Sequence, residues 1–204
     1  MSDTSSSPVG RPRNAAIDDA LHRALEELVA EAGVTSVTLQ DLIGRAGVTR
    51  DAFYRRYNSV GHFLVAVATA RYRVDPSEDT GSLRGDLRVV VADQAAMYTD
   101  GVSRDLLPLL LDACARDRVV ADLFETRFLR LQRESTARVI ERAVGRGEIP
   151  PVDDLPYVLD LVYGPAFLRA ALPGNAPPDD AFVDRVVNTV ARELGAAAPD
   201  GRAP

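Results

Sequence analysis

Residues 38–57 read TLQDLIGRAGVTRDAFYRRY, and they decide the fold. Thr38 is a good helix N-cap, and Asp41, three residues on, stands where a capping box places its acid. Leu39, Leu42, Ile43 and Ala46 form a short apolar stripe. Gly47 ends that helix after two turns. Thr49 caps a second short helix, in which Phe53 and Tyr57 share one face at i, i+4 spacing. Two short helices joined by a tight glycine-containing turn are the helix-turn-helix pattern.

The same stretch is unusual in its charge. The chain of 204 residues is acidic, with a formal net charge of −6 and no lysine among its 24 basic residues. Residues 15–41 hold six acids against one arginine, a net −5, whereas residues 42–74 hold six arginines against one acid, a net +5. An acidic chain does not bind polyanions indiscriminately, but a local basic zone permits a focused contact. A helix that enters the DNA major groove needs an apolar back to dock on its own domain and a front of donors. Phe53 and Tyr57 suit the back. Arg50, at the N-terminal end where such helices reach base edges, suits the front, with Tyr54, Arg55 and Arg56 placed for phosphate oxygens.

Working outward, residues 1–14 are rich in Ser, Pro and Gly and read as a disordered arm in which Arg11 and Arg13 are available to a minor groove. That opening has no apolar core of the kind a signal peptide needs. A first helix is expected from about Ala15 to Ala32, with Asp18 and Asp19 in its first turn and Gly33 at its end. A fourth helix follows Ser59, and the polar run at 75–82 marks the expected domain boundary. The remainder reads as helices over about 83–98, 104–115, 119–144, 153–172 and 179–194. A tail at 196–204 is expected to fray. No alternating run of strand length occurs, so the fold class is all-α. The domains are a 15–74 DNA-binding unit with a linking fourth helix and an 83–195 helical unit. No segment approaches the roughly 18 apolar residues of a membrane span.

Enzyme chemistry finds no footing in the sequence. His22 and His62 stand alone on separate helices, and Cys114 has no second cysteine, so neither a metal site nor a disulfide is expected. Cys114 lies among leucines as a small apolar residue, and a lone thiol fits a reducing, cytoplasmic setting. The acid pairs Asp18–Asp19, Asp153–Asp154 and Asp179–Asp180 lie at helix starts, where capping explains them. No catalytic residue, cofactor or metal is assigned.

The stretch VTLQDLIGRAGVTRDAFYRRYNSVGHFLVAVA, residues 37–68, resembles the DNA-binding domain of the tetracycline-repressor-like (TetR) family, with Thr38, Ala46, Gly47, Val48, Thr49, Phe53, Tyr54 and Tyr57 matching its pattern in order. The resemblance implies three N-terminal helices that bind a double-stranded DNA operator. It also implies a helical domain that takes a small-molecule effector, and two last long helices that pair the chain as a homodimer. Carried across residue by residue, Gln40, Arg50 and Ala52 become base-contact candidates, and Thr38, Thr49, Tyr54 and Arg56 phosphate candidates, with Arg55 as a further one. The family's usual lysine at the start of the fourth helix is Val60 here, followed by Gly61. These two departures support the alternative reading, a ligand-binding or scaffolding helical dimer without operator binding.

In the C-terminal half, Met97, Tyr98, Leu110, Phe124, Phe128, Tyr163 and Phe167 are candidates for an apolar pocket with a few polar tips, fitting a small and mostly apolar effector. For the dimer, Val158, Leu161, Val162, Pro165 and Leu168 are set to face Phe182, Val186, Val187, Val190 and Leu194. Pro165, inside a helix beside Gly164, implies a kink or irregular turn. A two-fold dimer requires a pseudo-palindromic operator. The expected regulator is a ligand-released repressor.

Overall fold

The computed structural model describes residues 11–33, 37–71, 78–172 and 174–197, with side chains from residue 15 onward. Of the arm expected at 1–14, residues 1–10 lie outside the described residues and 11–14 are helical, not disordered; the start of the polar run at 75–77 and the end of the tail at 198–204 also lie outside the described residues. Among the described residues the elements are helical: α1 (Arg11–Ala32), α2 (Leu39–Ala46), α3 (Arg50–Tyr54), α4 (Val60–Arg71), α5 (Leu83–Thr99), α6 (Gly101–Arg116), α7 (Arg118–Phe124), a π-helical turn (Glu125–Leu129), α8 (Arg130–Gly145), α9 (Leu155–Ala171) and α10 (Asp180–Glu193). No helix among them is long and apolar enough to cross a membrane.

The chain forms two compact units, 1–63 and 64–204. The dividing line falls inside α4 rather than in the polar run at 75–82. Phe63 is fully buried in the first unit's aromatic cluster, while Leu64, the next residue, and Val67, one turn on, belong to the second.

In the first unit α1 starts earlier than the sequence pattern indicates. Its first turn, Arg11–Asn14, tolerates Pro12 because the first backbone N–H groups of a helix have no partner to lose. Asp18 is therefore two turns inside the helix and not at its dipole-favoured start. Leu21, Ala24, Leu25 and Val29 make the buried face of α1, which packs on α2.

In the second unit α5 packs against α6, α8, α9 and α10. Its buried stripe, Leu83, Leu87, Val90 and Val91, meets Val139, Ile140 and Ala143 of α8, Val158 and Val162 of α9, and Val183, Val187 and Val190 of α10. Asp154 and Asp179 accept hydrogen bonds from the N–H groups of Tyr157 (3.0 Å) and Phe182 (2.7 Å) and cap α9 and α10. The helix expected over 119–144 is interrupted by the π turn. Pro165 lies inside α9 without ending it.

One end of α5 carries a dense polar knot. The Asp86 side chain, fully buried, accepts from the N–H and hydroxyl of Thr80, both at 2.7 Å, and from Arg146 at 3.2 Å and Arg142 at 3.4 Å. Glu148 accepts from Leu83 N–H at 2.7 Å and from Arg146 at 2.5 Å. The knot ties the loop before α5 to the end of α8.

Candidate functional site

The first candidate surface is α2–turn–α3. Thr38 and Asp41 close a full capping box: Asp41 N–H donates to the Thr38 hydroxyl oxygen at 3.2 Å, and Thr38 N–H donates to the Asp41 carboxylate at 3.4 Å. Gly47 takes φ 64, the left-handed cap that lets its own N–H and that of Val48 return to the carbonyls of Gly44 and Ile43. The Thr49 hydroxyl then accepts from Ala52 N–H at 3.2 Å and starts α3. Behind α3, Phe53 is fully buried and Tyr57 nearly so, and both rings meet Phe63, with centroids 5.8 Å and 5.1 Å away.

On the outer side, Gln40, Thr49, Arg50, Tyr54 and Arg55 are exposed and Ala52 is half-buried. The Arg50 guanidinium lies 5.8 Å from the centre of the Tyr54 ring, a distance at which cation and ring attract. Among the described residues neither Arg50 nor Arg55 forms an ion pair. Thr38 is exposed, but its hydroxyl proton goes to Asp41 at 2.6 Å.

Arg56 stands apart. Its guanidinium makes a two-pronged pair with Asp18 of α1, and the same carboxylate accepts from the Tyr57 hydroxyl at 2.5 Å. Burial alone would raise the Asp18 carboxyl, but the bonds from Arg56 and Tyr57 outweigh it and hold it below the usual carboxylate range. Burial first, then the hydrogen bond to Asp18 and the charge of that carboxylate, push the Tyr57 hydroxyl up to about 12. The residue expected to reach a phosphate is thus committed to α1, as is Arg45, which bridges Glu27 and Glu31 at 3.3 Å and 2.8 Å. Val60 is exposed at the start of α4 and Gly61 is buried.

The second candidate site is a cavity of about 410 Å³ within the 64–204 unit, in the size range of small-molecule sites. All seven pocket candidates line it: Met97 and Tyr98 of α5, Leu110 of α6, Phe124 and Phe128 about the π turn, and Tyr163 and Phe167 of α9. Leu64, Val67, Ala68 and Arg71 of α4 complete a wall. Residues 124, 128 and 132 overshoot a 3.6-residue turn at each step and would drift round a regular helix. The wider π turn takes up that overshoot, so Phe124 and Phe128 stack at 5.1 Å and Gln132 still faces the cavity. Tyr163 donates to the Gln132 backbone carbonyl at 2.6 Å and pairs with the Thr136 hydroxyl at 2.5 Å. Burial pushes the Tyr98 hydroxyl up to about 12.

Sequence reasoning missed the polar members of this wall, Gln94 and Gln132. A signal existed: Gln94 ends the otherwise apolar stripe 83–87–90 on α5, and Gln132, with Thr136 one turn on, stands between the apolar Phe128 of the π turn and Ile140 of α8.

The ten dimer candidates separate into two sets. Val158, Val162, Val187, Val190 and Leu194 are buried in the protomer's own core, with Phe182 and Val186 at its margin. Leu168 is 55% exposed, and Leu161 and Pro165 flank a shallow groove with Phe182 and Val186. The physical reason is that α9 carries apolar residues on every side, with only Asp160 and Arg169 charged, so its sequence says little about which stripe turns inward.

Residues 77–190 match the family model described as tetracyclin repressor-like, C-terminal domain. The chain is 28% identical over 181 residues to the uncharacterized HTH-type transcriptional regulator YdeS of Bacillus subtilis, covering 88% of this chain and 90% of that one. It is 26% identical over 127 residues to the HTH-type transcriptional regulator AqdR of Rhodococcus erythropolis, covering 62% and 60%. Among solved structures, a TetR transcriptional regulator from Agrobacterium tumefaciens superposes with a TM-score of 0.66 at 23% identity, covering 90% of this chain and 95% of that one. The TetR family regulator SCO0332 superposes at 0.64, also at 23% identity, covering 90% and 99%. These structural likenesses establish the shared fold.

Proposed function

Since the chain belongs to the tetracyclin-repressor-like family of non-enzymatic, DNA-binding transcriptional regulators, we propose that it is a cytoplasmic repressor that holds a pseudo-palindromic operator as a homodimer and releases it when a small, mostly apolar effector fills the 410 Å³ cavity. The DNA-binding part is 15–74, with α4 as its link, and the effector and dimer part is 83–195. The reading without operator binding, which Val60 and Gly61 supported, is not favoured.

The observation that carries the proposal is the outer face of α3. Arg50 and Arg55 stand exposed there beside Tyr54, without an ion pair among the described residues, on a helix fixed from behind by Phe53. Arg50 is the base-reading residue, with Gln40 and Ala52 beside it, and Thr49, Tyr54 and Arg55 hold phosphates. The dimer face is the outward stripe of α9, Leu161, Pro165 and Leu168, together with Phe182 and Val186 of α10. An effector acts by binding the two conformations of the dimer unequally.

Fluorescence anisotropy with duplexes from the DNA flanking its own gene, at two salt concentrations, tests this. Tight and salt-sensitive binding to one duplex is expected, with Arg50→Ala costing about 1–3 kcal/mol and relaxing sequence preference, and Tyr54→Phe weakening binding more evenly. Affinity equal to that for random DNA at every flanking duplex, unaltered by either substitution, refutes it.

A further inference from the structure

The cavity wall is not uniformly apolar. Gln94 and Gln132, 2% and 3% exposed, face it beside Tyr98. Each carboxamide offers two N–H donors and an oxygen with two lone pairs. The side-chain bonds that they make are few and long: Gln94 Nε2 to the Tyr98 hydroxyl at 3.3 Å, and Gln132 Nε2 to Gln94 Oε1 at 3.4 Å. Among the described residues nothing donates to the Gln132 side-chain oxygen, and the Tyr98 hydroxyl proton meets no acceptor. Exchanging oxygen and nitrogen in either amide relocates the donor and the acceptor but leaves one of each at the wall. Tyr163, on the same wall, is already engaged by Thr136 and the Gln132 carbonyl. Native interiors seldom leave such capacity unused.

Charge is arranged differently. Arg71 lines the cavity, but its guanidinium is held by Asp100 and by the Ser103 hydroxyl at 3.4 Å. Asp160 stands at the exposed rim. With its hydroxyl pushed up to about 12, Tyr98 keeps its proton at neutral pH. An ion carried to the inner wall would find no opposite charge left to meet it, a costly burial.

We propose that the effector is an uncharged molecule with a flat apolar body and one head group that both gives and takes hydrogen bonds, such as a phenol, lactam or carboxamide. The head sits on Gln94, Tyr98 and Gln132, and the body lies against the stacked rings of Phe124 and Phe128. This assignment rests on the reading of the cavity as the effector site.

The test is isothermal titration calorimetry of the full chain with four matched molecules: naphthalene, β-naphthol, β-naphthoate and β-naphthylmethylammonium. β-Naphthol is expected to bind about tenfold more tightly than naphthalene, a difference of about 1.4 kcal/mol, and more tightly than either ion. Gln132→Leu and, separately, Gln132→Met should bring β-naphthol level with naphthalene without weakening naphthalene. Ala68→Phe, which fills the cavity from α4, should abolish binding of all four. Tightest binding by either ion overturns the proposal, as does a β-naphthol preference that survives both Gln132 variants. If the molecules bind undiminished to Ala68→Phe, or none of the four binds the unaltered chain saturably, the cavity reading itself falls and takes this proposal with it. Loss in Ala68→Phe combined with an unchanged preference in the Gln132 variants removes the head-group assignment alone.

Discussion

Removing the Asp18 carboxylate separates two roles for Arg56 that sequence alone could not. In the structure Arg56 closes on Asp18, and Tyr57 donates to the same carboxylate, so one acid on α1 fixes the end of α3. The side chains of Arg56 and Asp18 are 27% and 28% exposed. Hydrogen bonds to charged groups contribute about 1.5–3 kcal/mol when sheltered, and partial screening reduces that, leaving about 1–2 kcal/mol for Asp18→Asn. At about 2–4 °C per kcal/mol for a chain of this length, Tm should fall by about 2–8 °C. Because the folded carboxyl lies below its ordinary value of 3.8, this contribution is complete above the ordinary carboxylate range. It is lost as pH falls through the depressed value, so the gap between wild type and Asp18→Asn should close in acid. A cycle of Asp18→Asn, Arg56→Ala and the double variant, followed by thermal melts, should show coupling of about 0.5 kcal/mol or more. In operator titrations, Arg56→Ala should weaken binding without changing the slope of log K against log salt. If Arg56 instead reaches a phosphate, the slope becomes shallower by about 0.9 per protomer. Additive melts together with that change in slope would refute the clamp.

Gly85→Ala would place its Cβ against the Thr80 hydroxyl and Cβ, breaking the bonds that Thr80 gives to Asp86; a loss of about 1–3 kcal/mol is expected from such overpacking, read by urea unfolding. Leu168→Glu puts a charge on the exposed stripe of α9 and should shift the chain toward monomer in sedimentation equilibrium while leaving its helical circular dichroism intact. Cys114 is half-buried with its thiol pushed up by that burial, so it should react with an aromatic disulfide reagent more slowly than free cysteine at neutral pH and reach the free rate in denaturant.

The parts of the fold legible in the sequence are those that rest on near neighbours. Thr38 with Asp41, Gly47 with Gly44, and Thr49 with Ala52 all close within four residues, so spacing alone shows them. The apolar pocket side chains were legible because aromatic and long aliphatic residues recur on helix faces that must be buried somewhere. Illegible features depend on partners far along the chain or on backbone irregularity. Nothing near Arg56 reveals that its acid is Asp18. The π turn carries no proline or glycine to announce it. On α9 apolar residues fall on every side and only Asp160 and Arg169 are charged, so the pattern that normally tells inside from outside is weak. Gln94 and Gln132 were visible as polar interruptions of buried stripes, but a polar residue at such a position also fits a satisfied core, and only their long, incomplete hydrogen bonds separate the two cases.

The charge reversal between residues 15–41 and 42–74 acquires a different meaning once the pairs are placed. Summed along the sequence, it suggests a basic head standing clear of an acidic helix. In three dimensions the two segments partly cancel: Arg45 closes on Glu27 and Glu31, and Arg56 on Asp18. Arg71 is turned to Asp100, which leaves Arg50 and Arg55 as the exposed, unpaired arginines of the described basic zone. The acids of α1 therefore hold α2 and the end of α3 in place and are not a repulsion to be overcome. On the proposed reading, the cationic surface that the described residues offer to DNA is concentrated on α3. On that reading the phosphate contacts of Arg55 and its neighbours supply the salt-sensitive part of the affinity, and discrimination among sequences comes from what Arg50 meets at base edges.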